Sequence, residues 1–504
     1  MGRINTNVQS LIAQRVLTSN QKSLAQSLER LSTGLKISSG KDDPAGLIAS
    51  ENLRSEIKGT NQAIANATRA DQVINIAEGG LGEVSSLLTE LQGLVTSSAS
   101  TAGISAAERQ ANQLQVDSIL QTIDRIASAT SFQGIKLLNG NFDFKTSNVN
   151  AGISDYKVNA AKYSGGSLNV DVLVTGSAQQ GGMFLSFGAA AIDTAAGSQF
   201  TIEVGGSLGT RQFTFSSSTS LTNIAGAINT FTTVLGVQAT VSGTGIKLAS
   251  TKFGRAQFAS IKVVDDGGIT GTAQMGIYDL NAANTNAAAT TRRSTFLAAT
   301  NAISDVGKDI QATVNGILAT SDGKTARINT DFLDVEVTLG NSASQTLGPV
   351  GTHAFTITGG GADFALGGQV NISSKVSIGI QAVSASVLGN STIGRLGSLS
   401  AGQLNNLVTG NTEQAQSIIA ESIAQVSSLR GRLGAFQSNT VGATIRSLGV
   451  AVENSTAAQS VIRDADFATE TAGLTRSQIL VNASTQVLGL ANQSPQAVLG
   501  LLQG

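Results

Sequence analysis

The residues of this 504-residue chain that could carry metal or acid–base chemistry are few and isolated. The single histidine, His353, lies in a stretch rich in Gly and Thr close to Pro349, and the chain has no cysteine. A zinc site or the two-histidine metalloprotease motif needs more such ligands than the chain contains. We therefore interpret His353 as an exposed turn residue, and we predict no metal site, no disulfide and no thiol nucleophile.

Three short motifs also fall short of a functional site. Gly323-Lys324-Thr325 matches the end of a phosphate-binding loop, but Leu318 occupies the position where that loop needs its first glycine. Neither Asp265-Asp266-Gly267 nor Asp464-Ala465-Asp466 continues with the ligands of a calcium loop, so we interpret the first as a surface turn and the second as a helix start. Because catalysis needs a positioned reactive group, we predict neither enzymatic activity nor a cofactor.

Composition and charge exclude further classes of protein. The 32 Lys and Arg residues nearly balance the 33 Asp and Glu residues, whereas nucleic-acid-binding proteins usually carry a basic excess. No apolar run reaches the roughly 18 residues that span a bilayer, and the N-terminal stretch lacks the apolar core of a secretory signal. We expect neither nucleic-acid binding, nor membrane insertion, nor a cleaved signal peptide.

Long helices with one apolar face dominate both ends of the chain. Apolar residues recur there at spacings of three, four and seven, which places each set on one side of a helix. The sets are Leu17, Leu24, Leu28, Leu31 and Leu35 in a first helix predicted from Ile4 to Leu35; Ile74, Ala77, Leu81, Val84, Leu88, Leu91 and Val95 in a second; Val441, Ile445, Leu448 and Val452 in a third; and Leu474, Val481 and Leu488 in a fourth. The remaining faces are mainly uncharged and polar, so each helix needs a partner. We predict that the two ends of the chain pair side by side.

The first two helices are predicted to join at Asp42, Asp43 and Pro44. Gly40 is a typical helix stop, Asp43 is a good N-cap, and Pro44 suits the first helical position, where its missing N–H costs nothing. We expect the second helix to weaken at its Gly-Gly pair, residues 79–80, because glycine lowers helix propensity.

The hydrophobic period changes twice along the chain. It drops from the helical value toward two after Gly140, and it returns to the helical value at about Ala401. In between, the pattern predicts a hairpin, a short helix and a second hairpin from Phe200 to Leu248, followed by another β-rich region. The predicted fold class is α+β and multidomain, with a terminal α-helical coiled-coil stem and β-rich outer domains inserted in the middle. The predicted domains are a coiled coil formed by the two ends (residues 1–43 and 457–504), a helical core (44–140 and 401–456) and a β-rich middle region (141–400) with two subdomains.

Motifs at both ends are similar to the terminal signatures of bacterial flagellins. At the N-terminal end these are INTN at residues 4–7, RLSTGLKISSGKDDPAGL at residues 30–47 and IDRIA at residues 123–127. At the C-terminal end they are LGA at residues 433–435, DADFA at residues 464–468 and ANQSPQAVL at residues 491–499. The segment near residues 200–250 resembles a repeat found in flagellins and hook-associated proteins. The resemblance covers about the first 140 and the last 100 residues.

This resemblance implies a structural subunit that self-assembles into the extracellular flagellar filament used for swimming. It implies that the terminal helices line the filament core, that they order only on assembly, and that the middle of the chain faces outward. The implied partners are further copies of the chain, hook-associated junction and cap proteins, the flagellar type III export apparatus, and an export chaperone that holds the C-terminal segment.

Two departures from the family pattern stand out. Pro44 replaces the Ala that the family often has in this motif, so we expect a stiffer joint. Many flagellins carry Arg at the positions of Glu90 and Gln92 and Glu at the position of Gly93, in a segment that ends at Leu94 and that the animal Toll-like flagellin receptor reads. Because Glu90 reverses one charge and Gly93 removes another, we predict weak or no recognition by that receptor.

Two other functions remain open from the sequence. A hook-filament junction protein would share the terminal motifs but form a short ring. A surface adhesin would instead use the outer β modules to bind host or matrix. Polymer length distinguishes the first alternative from a filament subunit, and ligand binding by the isolated middle of the chain tests the second.

Overall fold

A computed structural model describes residues 6–100, 103–269, 275–279 and 292–502, with side chains described as far as residue 493. The predicted start of the first helix at Ile4 lies outside these residues. The described helices are α1 (Val8–Thr33), α2 (Pro44–Ser98), α3 (Ala106–Ala129), α4 (Leu221–Asn229), α5 (Thr232–Leu235), α6 (Asn341–Gln345), α7 (Thr412–Ala435), α8 (Gly442–Arg463) and α9 (Phe467–Leu502). A π-helical segment, Phe436–Val441, joins α7 to α8. Over the part of the chain that the structure describes, none of the helices is both long and apolar enough to cross a membrane.

Strands fill the middle of the chain, which confirms the predicted α+β class with helical ends. The first half comprises β1 (Ser131–Phe132), β2 (Ile135–Lys136), β3 (Phe144–Ser147), β4 (Ile153–Ala161), β5 (Leu168–Val170), β6 (Val172–Gly176), β7 (Gly182–Ser186), β8 (Gln199–Gly206), β9 (Gly209–Ser216), β10 (Val237–Ser242), β11 (Gly245–Ser250), β12 (Phe258–Asp265) and β13 (Gly276–Asp279). The second half comprises β14 (Arg292–Ser294), β15 (Ile303–Val306), β16 (Gln311–Val314), β17 (Ile317–Leu318), β18 (Thr320–Asp322), β19 (Thr325–Asn329), β20 (Leu333–Leu339), β21 (Gly348–Pro349), β22 (Phe355–Gly360), β23 (Ala362–Ala365), β24 (Lys375–Ile378), β25 (Gly389–Asn390) and β26 (Gly394–Arg395).

Tertiary contacts group the described residues into two compact units. The terminal unit consists of residues 6–72, 364–375 and 435–502, and the central unit consists of the described residues in 73–363 and 376–434. The five-segment domain division made from the sequence is finer than this grouping and stays a prediction.

In the terminal unit, α1 runs antiparallel to α9. The Asn7 side chain donates to the Ala491 carbonyl at 2.8 Å near one end of the pair, and Arg30 lies 3.0 Å from Glu470 near the other. Helix α1 ends at Thr33 because Gly34 adopts a left-handed conformation, with φ at 71°. The prediction that the first helix reaches Leu35 is therefore wrong.

The N-terminal part of α2 runs antiparallel to α8 in the same unit. Arg463 pairs with Glu51 at 2.9 Å, and the Gln437 amide donates to Asp71 at 2.8 Å toward the other end. Both pairs therefore join the N-terminal and C-terminal parts of the chain, as the matching apolar stripes predict.

The C-terminal part of α2 packs with α3 and α7 in the central unit. The predicted apolar stripe from Ile74 to Val95 is almost fully buried, and Arg430 of α7 pairs with Glu78 of α2 at 2.7 Å. Helix α2 continues through the Gly-Gly pair, and its expected weakening there stays a prediction. A Cβ atom on Gly80 would lie 2.8 Å from the Thr130 hydroxyl, so this glycine allows close packing.

Helix α7 begins later than the sequence predicts. Residues 401–411 form turns rather than helix, and Asn411 accepts from the Glu413 backbone N–H at 3.0 Å immediately before α7. The prediction that helix resumes at about Ala401 is wrong, because polar side chains in this stretch bind backbone groups and stabilise turns instead. The Asn406 side chain, for example, accepts from the Thr409 N–H at 2.9 Å.

Two hydrophobic cores hold the β-rich part of the central unit. The first lies between the described strands of order β10-β11-β7-β13-β14 and β15-β12-β8-β9, and the apolar face of α4 covers it. The predicted hairpin, helix and hairpin correspond to β8–β9, α4 and β10–β11. The second core lies among strands of order β17-β16-β6-β21, β18-β19-β20-β4 and β3-β22-β5. Alternating inward residues such as Val335, Val337 and Leu339 fill it.

Candidate assembly surface

The contact face of α9 contains more small polar residues than the sequence suggested. The predicted residues Leu474, Val481 and Leu488 are half-buried, whereas Ser477 and Ser484 between them are only 8% exposed. Sequence reasoning missed both serines because it searched for apolar side chains, although they complete the alternating spacing of three and four. Small residues at these positions let two helices approach closely.

On α1 the contact face is formed by Leu17, Leu24 and Leu31, which are half-buried. Asn20 lies on the same face, and its side-chain amide donates to the Ser484 hydroxyl of α9 at 2.7 Å. The Ser484 hydroxyl in turn donates to the Leu480 carbonyl at 2.6 Å, so the polar groups at the centre of the pair are hydrogen-bonded.

Two leucines that the sequence assigned to this face lie elsewhere. Leu28 is 50% exposed, because it follows the contact residue Ser27 by one position and falls on the flank of α1. Leu35 lies beyond the end of α1, in the loop that connects α1 to α2. Helical spacing of leucines alone therefore predicts two residues, Leu28 and Leu35, that do not belong to the contact face.

The loop that connects α1 to α2 lies directly against the loop that connects α8 to α9. Leu35 and Asp464 form an isolated antiparallel bridge, the Lys36 N–H donates to the Arg463 carbonyl at 2.7 Å, and the Ala465 N–H donates to the Gly34 carbonyl at 2.9 Å. These backbone hydrogen bonds join the two loops into one joint, although the loops come from opposite ends of the chain.

The residues that start the helices at this joint are hydrogen-bonded locally. As predicted, Asp43 caps α2, since it accepts from the Gly46 N–H at 3.0 Å, and Pro44 occupies the first helical position. Asp466 caps α9 by accepting from the Ala468 N–H at 2.9 Å. Asp464 instead follows the last residue of α8, so its predicted role as a helix start is wrong.

Asp42 organises the loop before α2. One oxygen of its carboxylate accepts from the backbone N–H groups of Ser38 and Ser39, at 3.3 and 2.9 Å, and from both hydroxyls, at 3.1 and 3.0 Å. These hydrogen bonds, those from Ser39 first, lower the pKa of Asp42 below its ordinary value. The charged carboxylate therefore stabilises the observed loop.

The third predicted apolar face spans the boundary between the π-helical segment and α8. Val441 is fully buried at the end of the π-helical segment, and Ile445, Leu448 and Val452 are half-buried on α8. A π-helical turn contains an extra residue, so the stripe does not lie on one uninterrupted α-helix.

The positions of the predicted receptor segment belong to the exposed side of α2 in the central unit. Glu90 and Gly93 are exposed, Gln92 and Leu94 are half-buried, and only Leu91 between them is buried. Among the described residues, apart from the adjoining backbone of α2, no atom lies within 4 Å of the place that a Cβ on Gly93 would take. The altered charges are thus available to a binding partner of the isolated subunit.

The isolated chemical residues do not converge on a site. His353 lies between β21 and β22, and its Nδ1 is 2.6 Å from an oxygen of exposed Asp171. Gly323 adopts a positive φ of 57° in the turn between β18 and β19. Among the residues placed by the structure, no group of three or more His, Cys, Asp or Glu side chains could hold a metal ion.

Two family models match the helical ends of the chain. Residues 4–143 match the bacterial flagellin N-terminal helical region, and residues 416–502 match the bacterial flagellin C-terminal helical region. Among relatives, the flagellin of Salmonella choleraesuis is 30% identical over 536 residues, and flagellin B of Vibrio cholerae is 28% identical over 499 residues. In both cases the match covers 99% of this chain and 99% of the relative.

Among solved structures, the flagellar cap protein of Escherichia coli is similar to part of the chain. The sequence identity is 17%, and the match covers 48% of this chain and 64% of the cap protein, with a TM-score of 0.27. A similarity at this level carries no argument about function.

Proposed function

This chain belongs to the bacterial flagellin family and is a structural subunit of the extracellular flagellar filament, and on that premise we propose that α1 and α9 carry its assembly. Members of the family form homopolymers that serve swimming motility. The observation that carries the proposal is the large apolar surface that the α1–α9 pair leaves uncovered in the single chain. Val8, Leu11 and Ile12 on α1, and Ile479 and Leu490 on α9, are all about half or more exposed.

Burial of these side chains between copies supplies a driving force. Covering an exposed Leu or Ile fully contributes about 1.5–3 kcal/mol, and each copy offers several such residues on two helices. Since the exposed faces of α1 and α9 differ, one copy contacts the next through unlike surfaces. Such a contact produces an open helical polymer when the rotation between copies does not close, as the filament requires, and a ring when it does.

The polar centre of the α1–α9 pair supports ordering on assembly. Its most buried residues are small, namely Ala13 at 6% exposed and Ser477 and Ser484 at 8%. An isolated pair of this kind gains little from apolar burial, so its stability depends on the neighbouring copies. This agrees with the expectation that the terminal helices order only in the polymer.

We extend the proposal to export and to the ends of the filament. The chain has no cysteine, so no disulfide opposes passage in an unfolded state through the flagellar export apparatus. The proposed partners are that apparatus, a chaperone for the C-terminal segment, and the hook-associated junction and cap proteins. No observation favours the alternatives of a junction protein or an adhesin.

Electron microscopy of the purified chain after seeding tests the assembly proposal. The comparison is a truncated chain that lacks residues 1–39 and 457–504. We expect long filaments from the full chain and none from the truncated chain. Short rings from the full chain would favour a junction protein, and soluble monomers from both would leave the assembly proposal without support.

A further inference from the structure

The chain contains two Asn-Gly dipeptides, Asn139-Gly140 and Asn315-Gly316. In such a pair the backbone nitrogen of the glycine can attack the side-chain carbonyl carbon of the asparagine, because glycine has no side chain to hinder the approach. Both dipeptides lie in the central unit, the first in the loop between β2 and β3 and the second in the turn between β16 and β17. The sequence alone makes the two sites equivalent, but their surroundings in the fold differ.

The Asn315 side chain is hydrogen-bonded at both ends. Its Oδ1 accepts from the Asp171 backbone N–H at 2.7 Å, and its Nδ2 donates to the Asn169 carbonyl at 3.1 Å. The Asn315 backbone N–H also donates to the Asp171 carbonyl at 2.9 Å. Ring closure needs the side-chain carbonyl carbon to move to bonding distance of the Gly316 nitrogen, so the bonds at both ends of the side chain hinder it.

The Asn139 side chain is exposed and is hydrogen-bonded at one end only. Its Oδ1 accepts from the Asn141 N–H at 3.1 Å, whereas neither its Nδ2 nor the Gly140 N–H forms a hydrogen bond with another described residue. The attacking nitrogen and the leaving amide are therefore both free of protein partners. The hydrogen bond to Oδ1 in addition stabilises the negative charge that develops on this oxygen when the carbonyl carbon is attacked.

We propose that Asn139 is a site of spontaneous deamidation and that the fold protects Asn315 from the same reaction. The Gly140 nitrogen loses its proton to hydroxide and forms a bond with Asn139 Cγ. The bond from Cγ to Nδ2 then breaks, and the amide leaves as ammonia after taking a proton from water. Water opens the resulting cyclic imide at either of its carbonyls, which yields aspartate or isoaspartate. The net reaction consumes one water molecule, releases one ammonia molecule and involves no oxidation or reduction.

The two products at position 139 differ in how they fit the loop. An aspartate keeps the backbone unchanged, and its carboxylate can still accept from the Asn141 N–H. Isoaspartate instead lengthens the backbone by a methylene group directly after Leu138, which is fully buried and whose carbonyl accepts from the Val383 N–H at 3.1 Å. Accumulated isoaspartate should therefore loosen this contact.

Conversion at position 315 would be more costly to the fold. A carboxylate there accepts hydrogen bonds only, so it loses the bond to the Asn169 carbonyl and places two acceptors against each other. Asn315→Asp should consequently lower the midpoint of denaturant unfolding of the central unit, whereas Asn139→Asp should leave it unchanged. A larger effect from Asn139→Asp would contradict the assignment of the two sites.

Peptide mapping by mass spectrometry measures both sites in one sample of the full chain, incubated at neutral pH. Trypsin releases each site in a separate peptide by cleavage after Lys136, Lys145, Lys308 and Lys324. We expect Asn139 to react about tenfold faster than Asn315 or more, because ring closure at Asn315 must break two side-chain hydrogen bonds. The reaction of Asn139 should accelerate as the pH rises, since the attacking nitrogen must lose a proton. Fragment ions should assign the change to Asn139 and show both aspartate and isoaspartate.

The same chain unfolded in guanidinium chloride is the matched control. Both dipeptides lose their tertiary surroundings there, so their rates should become similar. Asn139→Gln should remove the signal from the first peptide, because its longer side chain closes a ring less readily. Equal rates at Asn139 and Asn315 in the folded chain would overturn the proposal. So would an unreactive Asn139 in the folded chain over a period in which the unfolded chain reacts, and neither outcome depends on whether the chain polymerises.

Discussion

Leu35 and Asp464 pair through their backbones in an antiparallel bridge, although they come from opposite ends of the chain. Leu35 lies just beyond α1, and Asp464 lies just beyond α8. The bridge therefore holds the loop between α1 and α2 beside the loop between α8 and α9. As a result, the α1–α9 pair and the α2–α8 pair meet at a single joint.

Leu488→Asp and Leu474→Asp should each block polymerisation. Both leucines are half-buried against α1, and assembly would enclose an unpaired carboxylate there. We expect the critical concentration to rise at least 100-fold, equivalent to about 2.8 kcal/mol. Sedimentation measures polymer formation, and circular dichroism should show that the central unit stays folded. Gln212→Asp, on exposed β9, is the control; polymers of normal length from either leucine variant would contradict the role of this face.

The Arg30–Glu470 ion pair should fix the register of α1 against α9. Its atoms are 3.0 Å apart, and the two side chains are only 26% and 14% exposed. A double-mutant cycle with Arg30→Met and Glu470→Gln should give a coupling free energy of about 1 kcal/mol, measured from filament dissociation by denaturant. Additive effects of the two substitutions would show that the pair contributes no register energy.

Acid should loosen the loop before α2 through Asp42. Because the folded-state pKa of Asp42 is lowered from its ordinary value of 3.8, its stabilisation is present above that value and is lost as the pH falls through the folded pKa. At neutral pH, Asp42→Asn should reduce hydrogen-exchange protection at the Ser38 and Ser39 amides. The ratio of protection between the original chain and the variant should approach one in acid.

Glu108→Gln is the control for the Asp42 experiment. It removes the carboxylate of the capping box at the start of α3, and the pKa of Glu108 is also lowered by hydrogen bonds from Ser105. It should leave the Ser38 and Ser39 amides unchanged. A protection ratio for those amides that stays constant with pH would rule out Asp42 as the source of the effect.

Gly80 and Gly79 provide a matched pair of substitutions on α2. A Cβ on Gly80 would lie 2.8 Å from Thr130 Oγ1 and 2.9 Å from Leu138 Cδ1. A Cβ on Gly79 would have no atom of the described residues within 4 Å, apart from the adjoining backbone of α2. Gly80→Ala should lower the free energy of unfolding by about 1–3 kcal/mol through overpacking. Gly79→Ala should raise it by about 0.5–1 kcal/mol through helix propensity. Denaturant unfolding of the monomer measures both, and equal effects would refute the packing role of Gly80.

The receptor segment should respond to restored charges. In a cell reporter assay for the animal Toll-like flagellin receptor, we expect weak or no response to this chain at ordinary flagellin doses. Glu90→Arg combined with Gly93→Glu should increase the response, because both positions are exposed on α2. A full response to the unchanged chain would contradict the prediction.

The family, the fold class and the helical ends could all be predicted from the amino-acid sequence. Periodicity is a local property, so the stripe from Ile74 to Val95 predicted a face that is almost fully buried, and Asp43 and Pro44 marked the start of α2. The scarcity of His and Cys likewise predicted the absence of catalytic chemistry, and the flagellin family is structural rather than enzymatic.

Which distant residues contact one another could not be predicted from the sequence and is seen in the folded chain. The bridge between Leu35 and Asp464, the hydrogen bond from Asn20 to Ser484, and the approach of Gly368 to Gly59 each join residues far apart along the chain. Serine and glycine at these positions give no hydrophobic signal, because their role is to be small and to place hydrogen-bonding groups. The spacing of apolar residues along one helix predicts which face of that helix is buried. It does not predict which residue of another segment lies against that face.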